Sequence, residues 1–377
     1  MSAPRVKGWC PSAHRPMMAA DGLVMRVRPV LARLTANQML GLCTLAQRFG
    51  HGTLEITNRA NVQIRGVTAT GHDRVLHALG DLGLLDADPA HESRRNILVN
   101  PFWQSGDMTH RLTRDLLAQL ASLPDLPAKA GFAVDCGPHP LLHCDSADIR
   151  LEQGENGLIL RADSVNAGRA VTPQTAIPAL IEMAHWLAAN ITPDCRRMAP
   201  LTARIPLPQA WRSAAPLLPA PPPQVGLVPL GALAGCAFGL LDAAMLSREI
   251  ASRNITALRL TPWRMVLLEG AQMPQGAGFI TTPDDPLMRA SACSGAPFCA
   301  SATVSTRDIA RQLAPRTTGT LHVSGCSKGC ARSAPADVTL VGRDGAFDLV
   351  REGTARDTPD QRGLTPKDLT SGAPFSL

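Results

Sequence analysis

Four cysteines in the C-terminal third of the chain have a spacing that calls for chemistry. Cys293 and Cys299 lie six positions apart in ACSGAPFC, Cys326 and Cys330 lie four apart in SGCSKGC, and 27 positions separate the pairs. Thiolates are soft ligands suited to zinc, copper(I) and iron–sulfur clusters. Structural zinc sites favour short C-x2-4-C knuckles, and ferredoxin runs are built on C-x2-C, so the wider first pair fits neither well. A cuboidal cluster gripped by two loops, one thiol pair from each, fits best. Zinc and unrelated buried thiols remain as alternatives on spacing alone. Gly295, Gly325 and Gly329 would remove side chains where backbone approaches bulky inorganic sulfur, and Cys326 and Cys330, at i and i+4, would share one helical face.

The rest of the composition narrows the setting. A chain of 377 residues has room for two or three domains with sizeable cores. Tyrosine is absent, which excludes a tyrosyl radical or catalytic tyrosine. The net charge of +6 is carried mainly by arginine, since Lys7, Lys129, Lys328 and Lys367 are the only lysines. Arginine's planar fork suits carboxylates and phosphates. There is no basic run with interleaved aromatics, so no nucleic-acid partner is expected. No secretory h-region and no long uncharged apolar stretch occur, so the expectation is a cytoplasmic protein without a membrane span. Stable disulfides are rare in that compartment, and the ten cysteines then divide between metal or redox chemistry and burial.

Elements must position these groups. Residues 21–30 alternate as a strand; Thr35 and Gln38 form a capping box before a helix whose Met39, Leu42, Cys43 and Ala46 share one face, closed by Gly50. Residues 53–67 read as two strands around a polar turn, and 71–84 as a second helix. A weaker copy follows 204 residues later: a strand in 230–240, a helix over 242–254 capped by Asp242, and two strands over 257–271. Aligning Thr57 with Thr261 superimposes EITNRANVQIRGV on RLTPWRMVLLEGA, which predicts an internal duplication with a ligand cleft between the copies. Between them, 94–100, GFAVDCG and GLILRAD read as strands, with helices over 111–123 and 177–190. Residues 214–229 are a proline-rich, extended linker. Residues 337–350 are a hairpin turning at Asp344-Gly345, and residues beyond about 353 look polar and poorly packed.

The pattern C-x5-C followed by C-x3-C, in HVSGCSKGCAR, resembles the siroheme-dependent nitrite and sulfite reductase superfamily, in which four such cysteines hold a [4Fe-4S] cluster. TNRANVQIRGV is similar to its motif T-x-R-x-x-x-Q-x-[HR]-G, and RRNILVNP to its second arginine motif, with Arg95 at the motif position. The resemblance implies an α+β fold: duplicated ferredoxin-like half-domains plus two α/β domains, the C-terminal one carrying the cysteines. The expected boundaries are 1–85 and 230–280 for the half-domains, 90–213 and 285–355 for the α/β domains, 214–229 for the linker and 356–377 for a C-terminal tail.

Within the superfamily, sulfite reductases place two lysines in L-P-x-K-x-K; LPAKAGFAV keeps Lys129 but has Gly131 at the second place. That departure, the shorter chain, and GWCPSAHRPMMAADGLVMRVRP, ACSGAPFCAS and LTPWRMVLLEG resemble the precorrin-3B synthase branch of aerobic cobalamin biosynthesis. A siroheme-dependent nitrite or sulfite reductase is the alternative, and siroheme would be bound only in that case. The resemblance implies that precorrin-3A, a polycarboxylate tetrapyrrole, fills the cleft as substrate and reacts with dioxygen, which makes the chain a monooxygenase. Arg59, Arg65, Arg95, Lys129 and Arg264, with Asn61 and Gln63, are the candidates to hold its carboxylates. The family is also associated with a mononuclear non-haem iron. The densest ligand-type cluster is CGPHPLLHCD, with His139 and His143; His322 is a further candidate. Cys10 is placed at the cleft mouth, by default as a packed thiol, and Cys43 and Cys236 in the core. GAGFIT is only half a dinucleotide fingerprint, so electrons are expected from an external donor of the NAD(P)H-dependent reductase or ferredoxin type. A monomer is expected, because duplication already supplies internal pseudo-symmetry.

Overall fold

A computed structural model describes residues 9–253, 255–276 and 278–371. The first eight residues, Ala277 inside GAGFIT, and the last six residues of the expected tail lie outside that range. The described residues form four five-stranded sheets.

The first two sheets are the duplicated units, and they exchange strands. One sheet is ordered Met17–Ala19, Gly22–Val27, Val62–Val67, Thr53–Ile56 and then Leu240–Asp242, a strand from the second copy. The other is ordered Gly226–Val228, Gly231–Gly235, Met265–Glu269, Ala257–Leu260 and then Arg33–Thr35, from the first copy. Leu241 pairs with Leu54, and Leu258 with Leu34. The helices Ala36–Phe49 and Ala243–Ser252 pack on each other beneath, joining Leu42 and Ala46 to Leu246 and Ile250 in one core. The capping box is present: Thr35 Oγ1 accepts from Gln38 N, and the Gln38 side chain accepts from Thr35 N. Asp242 caps the second helix through Met245 N. Cys43 and Cys236 are buried in this core, as expected.

The repeat is visible atom by atom at its turns. Thr57 Oγ1 accepts from the backbone N–H of Arg59 and Asn61 at 3.3 and 3.2 Å. Thr261 Oγ1 accepts from Trp263 and Met265, both at 3.3 Å, 204 positions on. Ala60 and Arg264 both adopt the left-handed region, with φ of 51° and 59°. Such side-chain-to-backbone bonds fix a tight turn irrespective of the other residues in it.

The remaining two sheets share one topology. In the middle domain Ile97–Val99, Phe132–Asp135 and Ile149–Gly154 run parallel, followed by antiparallel Gly157–Ala162 and Arg169–Ala170. In the C-terminal domain Ala290–Ala292, Leu321–Ser324 and Ala336–Arg343 run parallel, followed by antiparallel Ala346–Gly353 and Gln361–Leu364. The duplication therefore extends beyond the ferredoxin-like units to whole halves. Asp344 and Gly345, both at positive φ, make the expected hairpin turn.

One strand went unanticipated, and two expectations need correction. The strand Ile149–Gly154 escapes a hydrophobic reading because Arg150 and Glu152 are buried within it, paired with Asp163 and Arg161. The linker ends early: Gly226–Val228 is already the edge strand of the second unit. The tail is packed, not loose, through residue 371. Gln361–Leu364 extends the sheet, Leu369 of the helix Pro366–Ser371 is buried, and Arg316 donates to Thr370 O at 2.8 Å. No helix among the described residues is long and apolar enough to cross a membrane.

Candidate functional site

Both cysteine pairs leave the C-terminal ends of adjacent parallel strands, where loops of open α/β sheets converge. Cys293 follows Ala290–Ala292, and Cys326 follows Leu321–Ser324. The loops are stitched together: Gly325 N donates to Cys293 Sγ at 3.2 Å, Thr306 Oγ1 donates to Cys293 O at 2.6 Å, and Ser324 Oγ donates to Cys326 O at 2.7 Å. Burial raises the pKa of both Cys326 and Cys330, and the negative charges of neighbouring thiolates raise it further. For Cys330 those neighbours are Cys293, Cys326 and Cys299. Thiols crowded enough to oppose the ionisation of Cys326 and Cys330 suit a centre carrying several positive charges.

The donor set fits a [4Fe-4S] cluster in number and softness. Among the described residues, no three His, Cys, Asp or Glu side chains close on a point that could hold a single metal ion. Cys326 and Cys330 do not share a helical face; they lie in consecutive turns, because Gly329 takes φ 63°, which interrupts a helix. The glycines are required by protein neighbours. A Cβ on Gly295 would stand 2.6 Å from Thr306 Oγ1, and one on Gly325 would stand 2.6 Å from Ala302 Cβ. Lys328 partly offsets the burial that raises the Cys326 pKa, and lies 3.5 Å from Ser301 Oγ.

Facing these loops is a polar row running across the first sheet. Arg26 pairs with Gln63, Gln63 with Glu55, and Glu55 with Leu240 in the strand register. Alternation puts Met25, Ile64 and Leu54 on the opposite, core face. Arg26 donates from Nε and Nη2 to Gln63 Oε1 at 3.2 and 2.8 Å, and Gln63 Nε2 donates to Glu55 at 3.3 Å. Burial lowers the Arg26 pKa to about 10, which still leaves it cationic at neutral pH. A cavity of about 350 Å³ lies between this row and the cysteine loops, with Arg26, Gln63, Arg264, Cys293, Arg307 and Cys330 on its wall. A neighbouring cavity of about 550 Å³ is lined by Asp21, Arg65, Phe298 and Arg311 among others.

The structure sorts the expected ligand-binding residues. Gln63 and Arg264 line the first cavity and Arg65 the second. Arg264 also donates to Met288 O and Ala290 O, tying the repeat's turn to the strand that leads into Cys293. Arg65 forks onto Asp21 at 3.1 and 2.9 Å and reaches Phe298 O at 3.0 Å. Arg59, Arg95, Lys129 and Asn61 do not line these two cavities. Arg59 donates to Lys129 O and Ser146 Oγ, and burial and nearby Arg197 lower its pKa. Arg95 is buried and neutralised by Asp86, as a desolvated guanidinium must be. Asn61 belongs to the Thr57 turn, and Lys129 is exposed. Cys10 is half-buried and hydrogen-bonded to Arg26, within electrostatic reach of Arg28 and Arg59.

His139 and His143 are exposed, and His143 Nε2 sits 3.0 Å from Cys144 Sγ. Asp145 of the same segment accepts from Trp263 Nε1 at 3.2 Å and is pushed up to about 6 by burial. His322 is fully buried, pushed down to about 4 by burial and by Arg332, and neither ring nitrogen has a partner among the described residues.

Sequence reasoning missed Arg26, Glu55 and Arg307. Arg26 and Glu55 carried a signal, as charges within otherwise apolar strands. Arg307 carried none, because its partner Glu55 is 252 residues away.

Comparison with known proteins agrees with this fold. A family model, the nitrite/sulfite reductase ferredoxin-like half domain, matches residues 15–82. The chain is 22% identical to a ferredoxin–nitrite reductase of Synechococcus elongatus, over 84% of this chain and 75% of that one. The solved structure of the Mycobacterium tuberculosis NirA protein superposes with a TM-score of 0.66 at 18% identity, over 93% of this chain and 79% of that one, a likeness of fold. A precorrin-3B synthase from a Sinorhizobium species is 31% identical over 95% of this chain and 86% of that protein. On that likeness, over nearly its full length, the chain belongs to the precorrin-3B synthase family, within the nitrite/sulfite reductase superfamily.

Proposed function

We propose that this chain hydroxylates a meso carbon of precorrin-3A and closes a lactone from a ring acetate, using dioxygen. One juxtaposition carries the reading: Arg26, Gln63 and Arg264 share a cavity wall with Cys293 and Cys330. A groove for a polyanionic ring thus abuts thiols spaced for a cluster. Cys293, Cys299, Cys326 and Cys330 would hold a [4Fe-4S] cluster, which when bound exchanges single electrons. The chain's own work is binding and orientation. Arg26, Arg65, Arg264 and Arg307 take ring carboxylates through charge-assisted hydrogen bonds, about twice as strong as neutral ones. One atom of dioxygen enters the product and the other leaves as water, with two electrons from an external NAD(P)H-dependent or ferredoxin-type donor and two protons.

A siroheme-dependent reductase is the second reading, favoured by the nitrite reductase relative. The surroundings of Gly131 weigh against it. A Cβ there would stand 2.7 Å from Asn96 Nδ2 and 2.9 Å from the Asn96 backbone oxygen, so the second lysine of the reductases' anion site has no room.

Protein prepared without oxygen separates the two readings by its absorption spectrum: siroheme gives sharp Soret and red bands, a cluster alone a broad shoulder in the blue. Supplying precorrin-3A, dioxygen and reductant should then yield a product heavier by one oxygen atom. No gain in mass, from protein with an intact cluster, defeats the first reading.

A further inference from the structure

The two cavities are separated by one ion pair. Glu55, Arg307 and Ser294 line both of them. Arg307 Nη2 meets Glu55 Oε1 at 2.5 Å, while Arg65 Nη1 stands 3.9 Å from the other carboxylate oxygen. Drug-sized ligands fill sites of ~300–1,000 Å³, and a four-ring macrocycle with acetate and propionate arms belongs at the top of that range. Cavities of about 350 and 550 Å³ are each too small for it, and only joined do they approach that size.

The geometry points to Glu55 as a stand-in for a ring carboxylate: it occupies Arg307 in the free protein and yields it when the tetrapyrrole enters, merging the two cavities. The inference rests on the tetrapyrrole reading above. A charge argument and one observation support it. A carboxylate in a cleft for a polyanion would repel the ligand unless it neutralised a cation that the ligand later takes over. And Glu55 uses that cation incompletely: Arg307 Nε is buried with no acceptor among the described residues. Glu55 engages Nη2 alone, whereas a ring carboxylate can take Nε and Nη2 together, the stronger bidentate arrangement. Glu55 retains Gln63 Nε2 as a donor after it releases Arg307.

The test is a fluorescence titration of cluster-loaded protein with uroporphyrin III, a metal-free tetrapyrrole octacarboxylate. It compares the wild type with Glu55→Gln, Arg307→Gln and the double variant, and thermal melts confirm that each is folded. Glu55→Gln should lower Kd roughly tenfold and Arg307→Gln should raise it by at least as much, each tenfold step being one unit of log affinity. In the double variant the gain from Glu55→Gln should vanish, because no arginine remains to be released. Glu55→Asp, one methylene short of Arg307, should fall between wild type and Glu55→Gln. Weaker or unchanged binding in Glu55→Gln overturns the inference. So does a gain that survives in the double variant, which would be plain charge repulsion. Wild type that binds while Glu55→Gln gains nothing rejects the partition alone. Failure of every variant to bind the ring removes the tetrapyrrole reading, and the partition with it.

Discussion

Replacing Glu269 by glutamine should loosen the joint between the two halves of the molecule, by an amount the geometry allows us to estimate. Glu269 accepts from Arg33 Nε and Nη2 at 2.9 and 2.7 Å, and from Arg259 Nε. Arg33 belongs to the exchanged strand of the first copy. Arg259 also donates to Pro101 O and Trp103 O of the middle domain, and its guanidinium lies 3.9 Å over the Trp103 ring. One carboxylate therefore fastens three segments. Breaking a buried pair costs ~3–5 kcal/mol, and Arg259, at 6% side-chain exposure, meets that description. Arg33 is a third exposed, so solvent screening trims its share to ~0.5–1 kcal/mol. Glutamine keeps the shape and one acceptor, which leaves a net loss of about 3 kcal/mol. With an unfolding entropy of about 2.1 cal/mol/K per residue, 377 residues unfolding together would lose ~4 °C in Tm. Burial alone would raise the Glu269 pKa, but the hydrogen bonds from Arg33 and Arg259 outweigh it and hold the group below its ordinary 4.5. A carboxylate depressed on folding contributes stability that is complete above the unfolded pKa and lost as pH falls through the folded one. The Tm gap between wild type and Glu269→Gln should thus be constant from pH 7 to about 5.5 and shrink below about 4.5. Scanning fluorimetry across that range measures it. Equal melting at pH 7, or a gap that widens on acidification, would refute the argument.

Further outcomes follow from individual contacts. Cys326→Ser and Cys330→Ser should each abolish acid-labile sulfide in protein prepared without oxygen, as read by iron and sulfide assay; full sulfide in either rejects the four-thiol site. Gly131→Lys should lower stability by ~1–3 kcal/mol in urea, because its first side-chain atom meets Asn96. Burial raises the thiol pKa values of Cys136 and Cys236, so in native protein both should resist alkylation at pH 8 while exposed Cys144 reacts, as peptide mass mapping would report.

What the sequence made legible was local. The Thr35 box, the Asp242 cap and the Thr57 and Thr261 turns each depend on residues within four positions, and each appears where expected. What stayed hidden depended on partners far along the chain. A charged pair such as Arg150–Asp163 makes a buried strand look like a surface one. The i, i+4 spacing of Cys326 and Cys330 suggested a helix, but the left-handed Gly329 between them decided otherwise. Arginine motifs were the least informative part: Arg95 fits a family pattern yet is neutralised by Asp86, while Arg26 and Arg307, in neither arginine motif, line the cleft.

The pseudo-symmetry also explains why only one of two equivalent faces is open. Arg26, Gln63 and Glu55 run across the first sheet, and the matching register in the second sheet is Leu233, Leu267 and Arg259, offset by 204 positions for the last two and by 207 for the first. The second row is apolar apart from Arg259, is packed by Phe102, and Arg259 is taken up by Glu269 and by the backbone at 101 and 103. Phe102 follows the first parallel strand of its domain, as Cys293 follows the first parallel strand of the other. Equivalent loops thus meet equivalent sheet faces with opposite chemistry. Where aromatic meets leucine, water is expelled and the halves are locked together. Where cysteine loops meet an arginine–glutamine–glutamate row, the polar groups need partners, and a gap lined by cationic guanidinium groups is left, which on the proposed function an anionic ligand fills. The duplicated frame needs one sealed interface to hold its shape and one unsealed interface to act, and the residues at positions 55, 63 and 26 decide which is which.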